Sequence, residues 1–244
     1  MTPKPHHGRA SVVLVVAAAA ALGFGSGCAR LLTRPGGAVS HEAAAIIAAG
    51  AGRERMLPGL RLTLSVRATA GPAAARLASP AYLAVDGPEQ LRLQVLSPFG
   101  VTVLDLATTG STFKLALPLR GETREGRVDL AALAAGETPE DERMIVALAL
   151  LFRPKMTREH CRGSGRNAVT CAIASDLVAT ITVDRSLRSV REEYLGAGGQ
   201  PVLVADLDDY PTTAADAFPG RITISDGRGG PALIVRIVRV RHTS

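Results

Sequence analysis

The sequence predicts a mainly β, α+β domain: a strongly curved antiparallel sheet or open barrel, with helices packed against its concave side. Three observations predict it. From Arg61 onwards apolar and polar residues alternate with a period of two, Leu62, Leu64, Val66 and Ala68 against Arg61, Thr63, Ser65 and Arg67. Turn chemistry then bounds one such segment after another. A helical period breaks in once at mid-chain, so the order is helix, strand meander, one or two helices, more strands. No period of 20–50 residues repeats, which excludes a repeat architecture.

The elements follow in order. Ser40 is a cap for a helix over about His41–Met56, which Pro58-Gly59 ends. Strands are predicted at Arg61–Ala68, Arg76–Val85, Leu91–Leu96, Val101–Ala107 and Thr112–Leu117, separated by Gly71-Pro72, Gly87-Pro88, Ser97–Gly100 and Thr109-Gly110, with Pro118 closing the last. A short helix fits Val128–Ala135. Thr138 then caps a longer one: Pro139 suits its first turn, Glu140 and Asp141 suit its positive end, and Met144, Ile145, Leu148, Leu151 and Phe152 form an apolar stripe that Pro154 stops. Strands resume at Ala168–Ala174, Leu177–Val183, Val190–Leu195, Val202–Leu207, Arg221–Ile224 and Pro231–His242, and Gly227-Arg228-Gly229-Gly230 reads as a hairpin turn.

One hairpin stands out. In LRLQVL-SPFG-VTVLDL, Pro98 presets the second turn position and Gly100 relaxes the exit, which puts Phe99 at the tip. The chain has five phenylalanines, three tyrosines and no tryptophan. Folding alone would favour Asn, Asp or Gly at such a tip, so Phe99 there points to contact with something apolar; the alternative is a ring folded back over the sheet edge.

The N-terminus suggests that apolar partner. Lys4 and Arg9 precede an uninterrupted small-to-apolar run, Ser11–Leu22, and small residues lead to Gly27-Cys28. This is the form of an export signal over residues 1–27, too short to span a bilayer comfortably. Gly27-Cys28 resembles a lipobox, in which the cysteine is diacylated after signal removal, although Gly25 stands where such motifs usually carry Leu. An ordinary secretory signal that happens to contain Cys28 is the alternative. Ala29, in place of the Asp that favours inner-membrane retention, leans towards the outer membrane. Residues 28–39 then read as an acylated tether and 40–244 as one domain. Cys161 and Cys171 flank a glycine-containing loop, as an exported protein closes with a disulfide contributing about 2–3 kcal/mol; His160 with both cysteines is a weaker, metal-binding alternative, lacking a fourth ligand at a recognisable spacing.

Composition excludes other classes. The net charge of +6 is mild and carried almost wholly by arginine, with no basic run interleaved with aromatics as a nucleic-acid platform needs. There is no Gly-x-Ser-x-Gly elbow, HExxH, Walker loop or dinucleotide fingerprint. His41, His160 and His242 lie in no catalytic constellation, and Asp206, Asp208 and Asp209 beside Tyr210 lack the spacing and closing Glu of a calcium loop. The reading is a non-enzymatic monomer without a cofactor.

Hairpin, anchor and element order together resemble the LolA/LolB family of lipoprotein carriers and receptors, and most of all its LolB branch, the outer-membrane receptors that are themselves lipoproteins. There a strand, an Asn-Pro-Leu-Gly loop and a second strand match Leu91–Leu96, Ser97-Pro98-Phe99-Gly100 and Val101–Leu106 here, with Phe99 on the protruding leucine. The likeness is strongest over Leu62–Leu117 and looser over Leu177–His242, where Phe218-Pro219-Gly220-Arg221-Ile222 also suits the family; residues 121–175 have no clear counterpart. The resemblance implies an unclosed antiparallel barrel with a helical lid over an apolar cavity. Acyl chains would lie against Leu62, Leu64, Val66, Leu91, Leu93, Val95, Phe113, Leu115 and Leu117, and Pro98, Phe99 and Gly100 would form a membrane-inserting loop. The implied role is to accept acylated lipoproteins from a periplasmic LolA-like carrier and insert them into the outer membrane, facing the periplasm. The alternative is an envelope assembly or sensor lipoprotein that binds a protein or lipid on the same fold without transferring cargo.

Overall fold

The computed structural model describes residues 40–69, 78–138, 140–212, 217–227, 229 and 233–243, with backbone alone at 140–142 and 144. The chain divides into two units, Met1–Gly36 and Gly37–Ser244, and the described residues all belong to the second. The expected leader, Cys28 and its tether, Gly71-Pro72, Arg76, Leu77, Pro139, Arg228, Gly230 and Pro231 therefore lie outside the described residues, as do the side chains of Glu140, Asp141 and Met144.

Caps and breakers set the helices. Helix α1, His41–Arg55, begins where the Ser40 hydroxyl accepts from the Ala43 N–H at 3.2 Å. It buries Ala43, Ile46, Ile47 and Gly50, the i, i+3, i+4, i+7 stripe of an amphipathic helix. Helix α2, Leu130–Ala135, starts two residues later than expected because Asp129 is the cap: its carboxylate accepts from Ala131 and Ala132 at 3.0 Å each. Gly136, at φ 74°, closes it in the left-handed conformation.

Helix α3, Glu140–Leu151, corrects the expected cap. Thr138 is buried and its hydroxyl has no hydrogen-bond partner among the described residues. The helix entry is held instead by Arg143, whose Nε donates to the Thr138 carbonyl at 2.9 Å. Ile145, Val146, Ala147, Leu148 and Leu150 are all buried, so from Ile145 onwards α3 is apolar all round and that part sits in the core.

The strands are β1 (Leu60–Ala68), β2 (Ser79–Gly87), β3 (Gln90–Leu96), β4 (Thr102–Thr109), β5 (Thr112–Leu117) and β6 (Glu122–Arg127), then, after the helices, β7 (Cys161–Gly165), β8 (Ala168–Ala174), β9 (Leu177–Val183), β10 (Ser189–Leu195), β11 (Pro201–Asp208), β12 (Arg221–Asp226) and β13 (Leu233–His242). They form one 13-stranded antiparallel sheet in the order β6-β5-β4-β3-β2-β1-β13-β12-β11-β10-β9-β8-β7. Each half is a simple meander, and β1 pairs with β13 to join them. The edges β6 and β7 are not paired with each other, so the curved sheet stays unclosed.

Strand β6 was not predicted, because Glu-Thr-Arg-Glu-Gly-Arg has no apolar alternation. It is an edge strand whose charges guard it against further pairing. Its Gly126 lies over the Phe113 ring, where an added Cβ would stand 2.7 Å from the ring carbons. At the other edge, Cys161 and Cys171 face one another in the β7–β8 register and are joined by a disulfide. With both sulfurs so engaged, the metal-binding alternative with His160 falls away; the His160 ring instead lies 3.0 Å from the Thr157 hydroxyl.

The concave face and the helices share one hydrophobic core: Leu62, Leu83, Leu93 and Leu106 from the first meander, Ile181 and Ile224 from the second, and Ile46, Leu133 and Leu148 from the helices. Helix α1 lies against β7 and β8, and α2 against β9 and α3. Behind α1, Met156 occupies the space that a side chain at position 50 would need, since a Cβ on Gly50 would stand 1.5 Å from its Sδ. Gly50→Ala is therefore expected to destabilise the domain by about 1–3 kcal/mol through overpacking. Met156→Ala in the same chain should remove most of that added cost, which a urea-denaturation double-mutant cycle measures.

Candidate functional site

A mainly apolar, partly open cavity lies on the concave side, between α1, the segment that follows α3, and strands of the second meander. Its volume is about 90 Å³. Leu57, Phe152, Met156, Ile181, Leu207 and Ile222 supply apolar wall, and Phe218-Pro219, the segment singled out in the sequence, closes one side. The rest of the lining is polar and charged: Arg53, Glu54, Lys155, Ser189, Glu192 and Tyr210.

These polar groups form a node that ties three elements together. Lys155 Nζ lies 3.3 Å from the Glu192 carboxylate on β10, with both side chains buried. The same ammonium donates to the Leu150 carbonyl at 3.1 Å and the Leu151 carbonyl at 3.4 Å, satisfying the C-terminal end of α3 with a cation where the helix dipole favours one. Glu54 on α1 accepts the backbone N–H groups of Lys155 at 2.9 Å and Met156 at 3.0 Å. Arg53, the next residue, donates to the Leu187 carbonyl at 2.8 Å and the Ser189 hydroxyl at 3.0 Å, reaching the β9–β10 turn. The fully buried Tyr194 donates its hydroxyl to Glu192 at 2.9 Å, and Tyr210 donates to the Ser189 carbonyl.

Burial decides the electrostatics. Desolvation holds the Glu54 carboxyl above the usual carboxylate range, with Lys155 and the two backbone donors pulling the other way. The Tyr194 phenol is pushed far up by burial and by Glu192, and that of Tyr210 is raised by burial. Arg53 is lowered by desolvation against nearby negative groups.

None of the sequence-predicted acyl-contacting residues lines this cavity. Leu62, Leu64, Leu91, Leu93, Phe113 and Leu115 are buried in the core, and Val66, Val95 and Leu117 are half-buried against it. They belong to the first meander, whereas the cavity belongs largely to the second. The sequence reading missed the node entirely. One signal was available: Lys155 is one of only three lysines in an arginine-rich chain, placed directly after a helix-stopping proline. Asp206 and Asp208 are paired with Arg191 and Arg221 respectively, and no cluster of His, Cys, Asp or Glu among the described residues is placed to hold a metal ion.

The hairpin tip is plain. The Gly100 N–H donates to the Ser97 carbonyl at 2.9 Å, and Gly100 has φ +79°, the left-handed position that follows a tight turn in a hairpin. Phe99 is 91% exposed and Val101 beside it is also exposed, so the ring does not fold back over the sheet. Because Val101 closes the turn by accepting from the Ser97 N–H, β4 begins at Thr102, one residue later than expected.

No protein-family model matches the chain, and no curated protein matches it. Solved structures do match in fold. A LolA superfamily protein from Nitrosomonas europaea is 13% identical, with 83% of this chain and 94% of that one covered and a TM-score of 0.51. An outer membrane lipoprotein-sorting protein domain from Vibrio parahaemolyticus is 10% identical over 82% and 92% of the two chains, with a TM-score of 0.53. The fold is LolA-like. A DUF1329 family protein from Desulfovibrio piger also matches in fold at 10% identity and a TM-score of 0.51, over 83% of this chain and 94% of its own.

Two outcomes follow for the node within this LolA-like fold. Lys155→Met leaves Glu192 buried without its cation and is expected to cost about 3–5 kcal/mol. Adding Glu192→Gln, which keeps an acceptor for Tyr194, should recover a large part of it in urea denaturation. Glu54 binds its proton more tightly in the folded than in the unfolded chain, so its contribution to stability grows as pH falls towards the unfolded value, near 4.5. Glu54→Gln should flatten the stability–pH curve in the window just above that value, as denaturation midpoints at a series of pH values would report.

Proposed function

We propose that this chain is a lipid-anchored outer-membrane protein of LolB type, which receives acylated proteins from a periplasmic LolA-like carrier and inserts them into the membrane without catalysing a reaction. In this reading residues 1–27 are the signal, Cys28 bears the lipid, 28–39 form the tether, and the domain over 40–244 faces the periplasm as a monomer. The observation that carries the proposal is Phe99, held 91% exposed on a rigid turn of a LolA-like sheet. A fold-stability role for a ring so placed is excluded by its lack of burial. The lipoprotein-sorting description of the Vibrio parahaemolyticus neighbour supports the same reading.

The cargo chemistry is hydrophobic transfer. Each buried methylene of an acyl chain contributes about 0.8 kcal/mol, so a carrier needs only a non-directional apolar surface. A cavity of about 90 Å³ falls well short of the ~300–1,000 Å³ of ordinary ligand sites. Admitting a chain therefore requires α1 and α3 to move off the sheet. Such a movement would uncover Leu62, Leu64, Val66, Leu91, Leu93, Val95, Phe113, Leu115 and Leu117, which gives the residues singled out in the sequence their role as the acyl surface. A second reading, an envelope assembly or sensor lipoprotein that never carries cargo, is favoured by the ionic node, which holds the helices against the sheet.

Native mass spectrometry of the protein purified from envelope membranes separates the two. Non-covalently bound phospholipid or acylated peptide supports the carrier, while a chain that stays empty when acylated peptide is added leaves the non-carrying reading. For delivery itself, Phe99→Glu is expected to reduce transfer of acylated protein into vesicles at least about tenfold, in line with the roughly 1.5–3 kcal/mol that a buried Phe contributes. Phe99→Leu should keep it. Unchanged transfer by Phe99→Glu would remove the loop from the mechanism.

A further inference from the structure

The outer face of the sheet carries a feature that acyl binding does not use. Arg92, Ala84, Arg61 and Arg241 stand opposite one another across β3, β2, β1 and β13, and Gln94, Tyr82, Thr63 and Arg239 form the next row. The small residues Ala84 and Thr63 leave a groove of about 510 Å³ between these side chains. Arg61 is paired with Asp86 and Arg92 with Asp105, but Arg236, Arg239 and Arg241 have no carboxylate partner among the described residues.

Two details of this face do not serve the fold. Arg241 lies directly opposite Arg61, and Arg236 directly opposite Arg221; Arg61 and Arg221 are each ion-paired with an aspartate, so Arg241 and Arg236 find no carboxylate across the strand pair. The register also slips between Thr63 and Leu64, which leaves Val238 opposite no residue and 67% exposed. A bulge of this kind re-aims a side chain, and here it sets an apolar group among guanidiniums. Tyr82, 49% exposed, stands in the same groove. Local rules broken together at one place are the mark of a site under another constraint.

We propose that this face binds an anionic phospholipid surface, a membrane contact separate from the Phe99 tip. Unpaired arginines supply the charge complementarity to phosphate headgroups, and Val238 and Tyr82 supply the partly apolar, amphipathic groups that favour the headgroup boundary. β1 and β13 are the middle strands of the sheet, so the patch lies at the centre of its outer face. Strand β3 carries Arg92 at the rim of the groove and leads directly into the Phe99 turn, so patch and tip are linked by one strand. The proposal rests on the membrane anchoring suggested above, and not on acyl binding.

The absence of tryptophan makes a clean test. Val238→Trp in the full-length chain, reconstituted into vesicles, reports from the patch alone, and Ser164→Trp, exposed on the edge strand β7 far from both the patch and the Phe99 tip, is the control. In phosphatidylcholine vesicles containing phosphatidylglycerol, the Val238→Trp emission is expected to shift to the blue and to be quenched by brominated lipid. In phosphatidylcholine alone neither should occur, and the Ser164→Trp control should stay unshifted in both. Each arginine near an anionic surface is worth about a fivefold gain in partitioning, so Arg239→Glu with Arg241→Glu should weaken the contact roughly 25-fold or more. Circular dichroism of the same variants confirms that the fold is kept, and native mass spectrometry keeps the acyl-binding question separate. An unshifted Val238→Trp in anionic vesicles overturns the proposal. A shift with soluble polyglutamate but not with vesicles also overturns it, assigning the face to an acidic protein.

Discussion

Everything in this fold depends on one seam, the pairing of β1 with β13. Within each half, every strand hydrogen-bonds to its neighbour in sequence, so both meanders could form locally. Neither half could bury its inner face alone, because the core is shared: Leu62 and Leu83 from one side meet Ile181 and Ile224 from the other through helices donated by the connection between them. The seam runs from Leu60 opposite His242 to Ala68 opposite Leu233. It brings the two ends of the domain together and leaves the helical insertion no place but the concave side. It also carries one of the sheet's register shifts, beside Thr63, and the facing arginines.

That seam explains what the sequence could and could not reveal. Period-two alternation is a local signal, and it located the strands whose inner face is apolar, β1, β3, β5, β8 and β9, to within a residue. It was silent on β6, whose Glu, Thr and Arg serve an edge and not a core. Capping chemistry worked at Ser40 and failed at Thr138, where the hydroxyl is buried without a partner among the described residues and Arg143 holds the carbonyl instead. The cavity of the structure is lined by other residues than the expected acyl-contacting ones, for a similar reason. Alternation showed which residues face inward but not which inward residues the helices cover. Only the long-range position of α1 and α3 assigns Leu62 and Leu93 to packed core and Ile181 and Leu207 to the cavity wall.

The ionic node gives the concave side a definite closed arrangement. A hydrophobic face alone would let α1 and the α3 terminus slide over leucines and valines at little cost, because dispersion is non-directional. Lys155 removes that freedom. Its ammonium must lie within reach of Glu192, the Leu150 carbonyl and the Leu151 carbonyl at once, while Glu54 fixes the backbone on either side of the Lys155–Met156 bond. Buried pairs of this kind add little net stability over an apolar replacement, because desolvation offsets most of the attraction. Their effect here is on geometry: the node selects one docking of the helices.

The small size of the cavity follows from the physics of an apolar inner face. Holding open a void of ~300 Å³ lined by aliphatic side chains would cost on the order of 7 kcal/mol at about 24 cal/mol per Å³, comparable with the roughly 5–15 kcal/mol that keeps a domain folded. A sheet whose inner face is lined with leucine cannot wait open for a ligand. It must collapse onto something, and the buried apolar side chains of α3, Ile145, Val146, Leu148 and Leu150, help supply that surface. On the proposed carrier role, an incoming acyl chain would compete with the helices for apolar contacts, methylene for methylene. Exchange of one apolar partner for another leaves the hydrophobic balance nearly even. The unbalanced quantity would then be the polar node, and the cost of admitting a ligand would be concentrated in the few groups around Lys155.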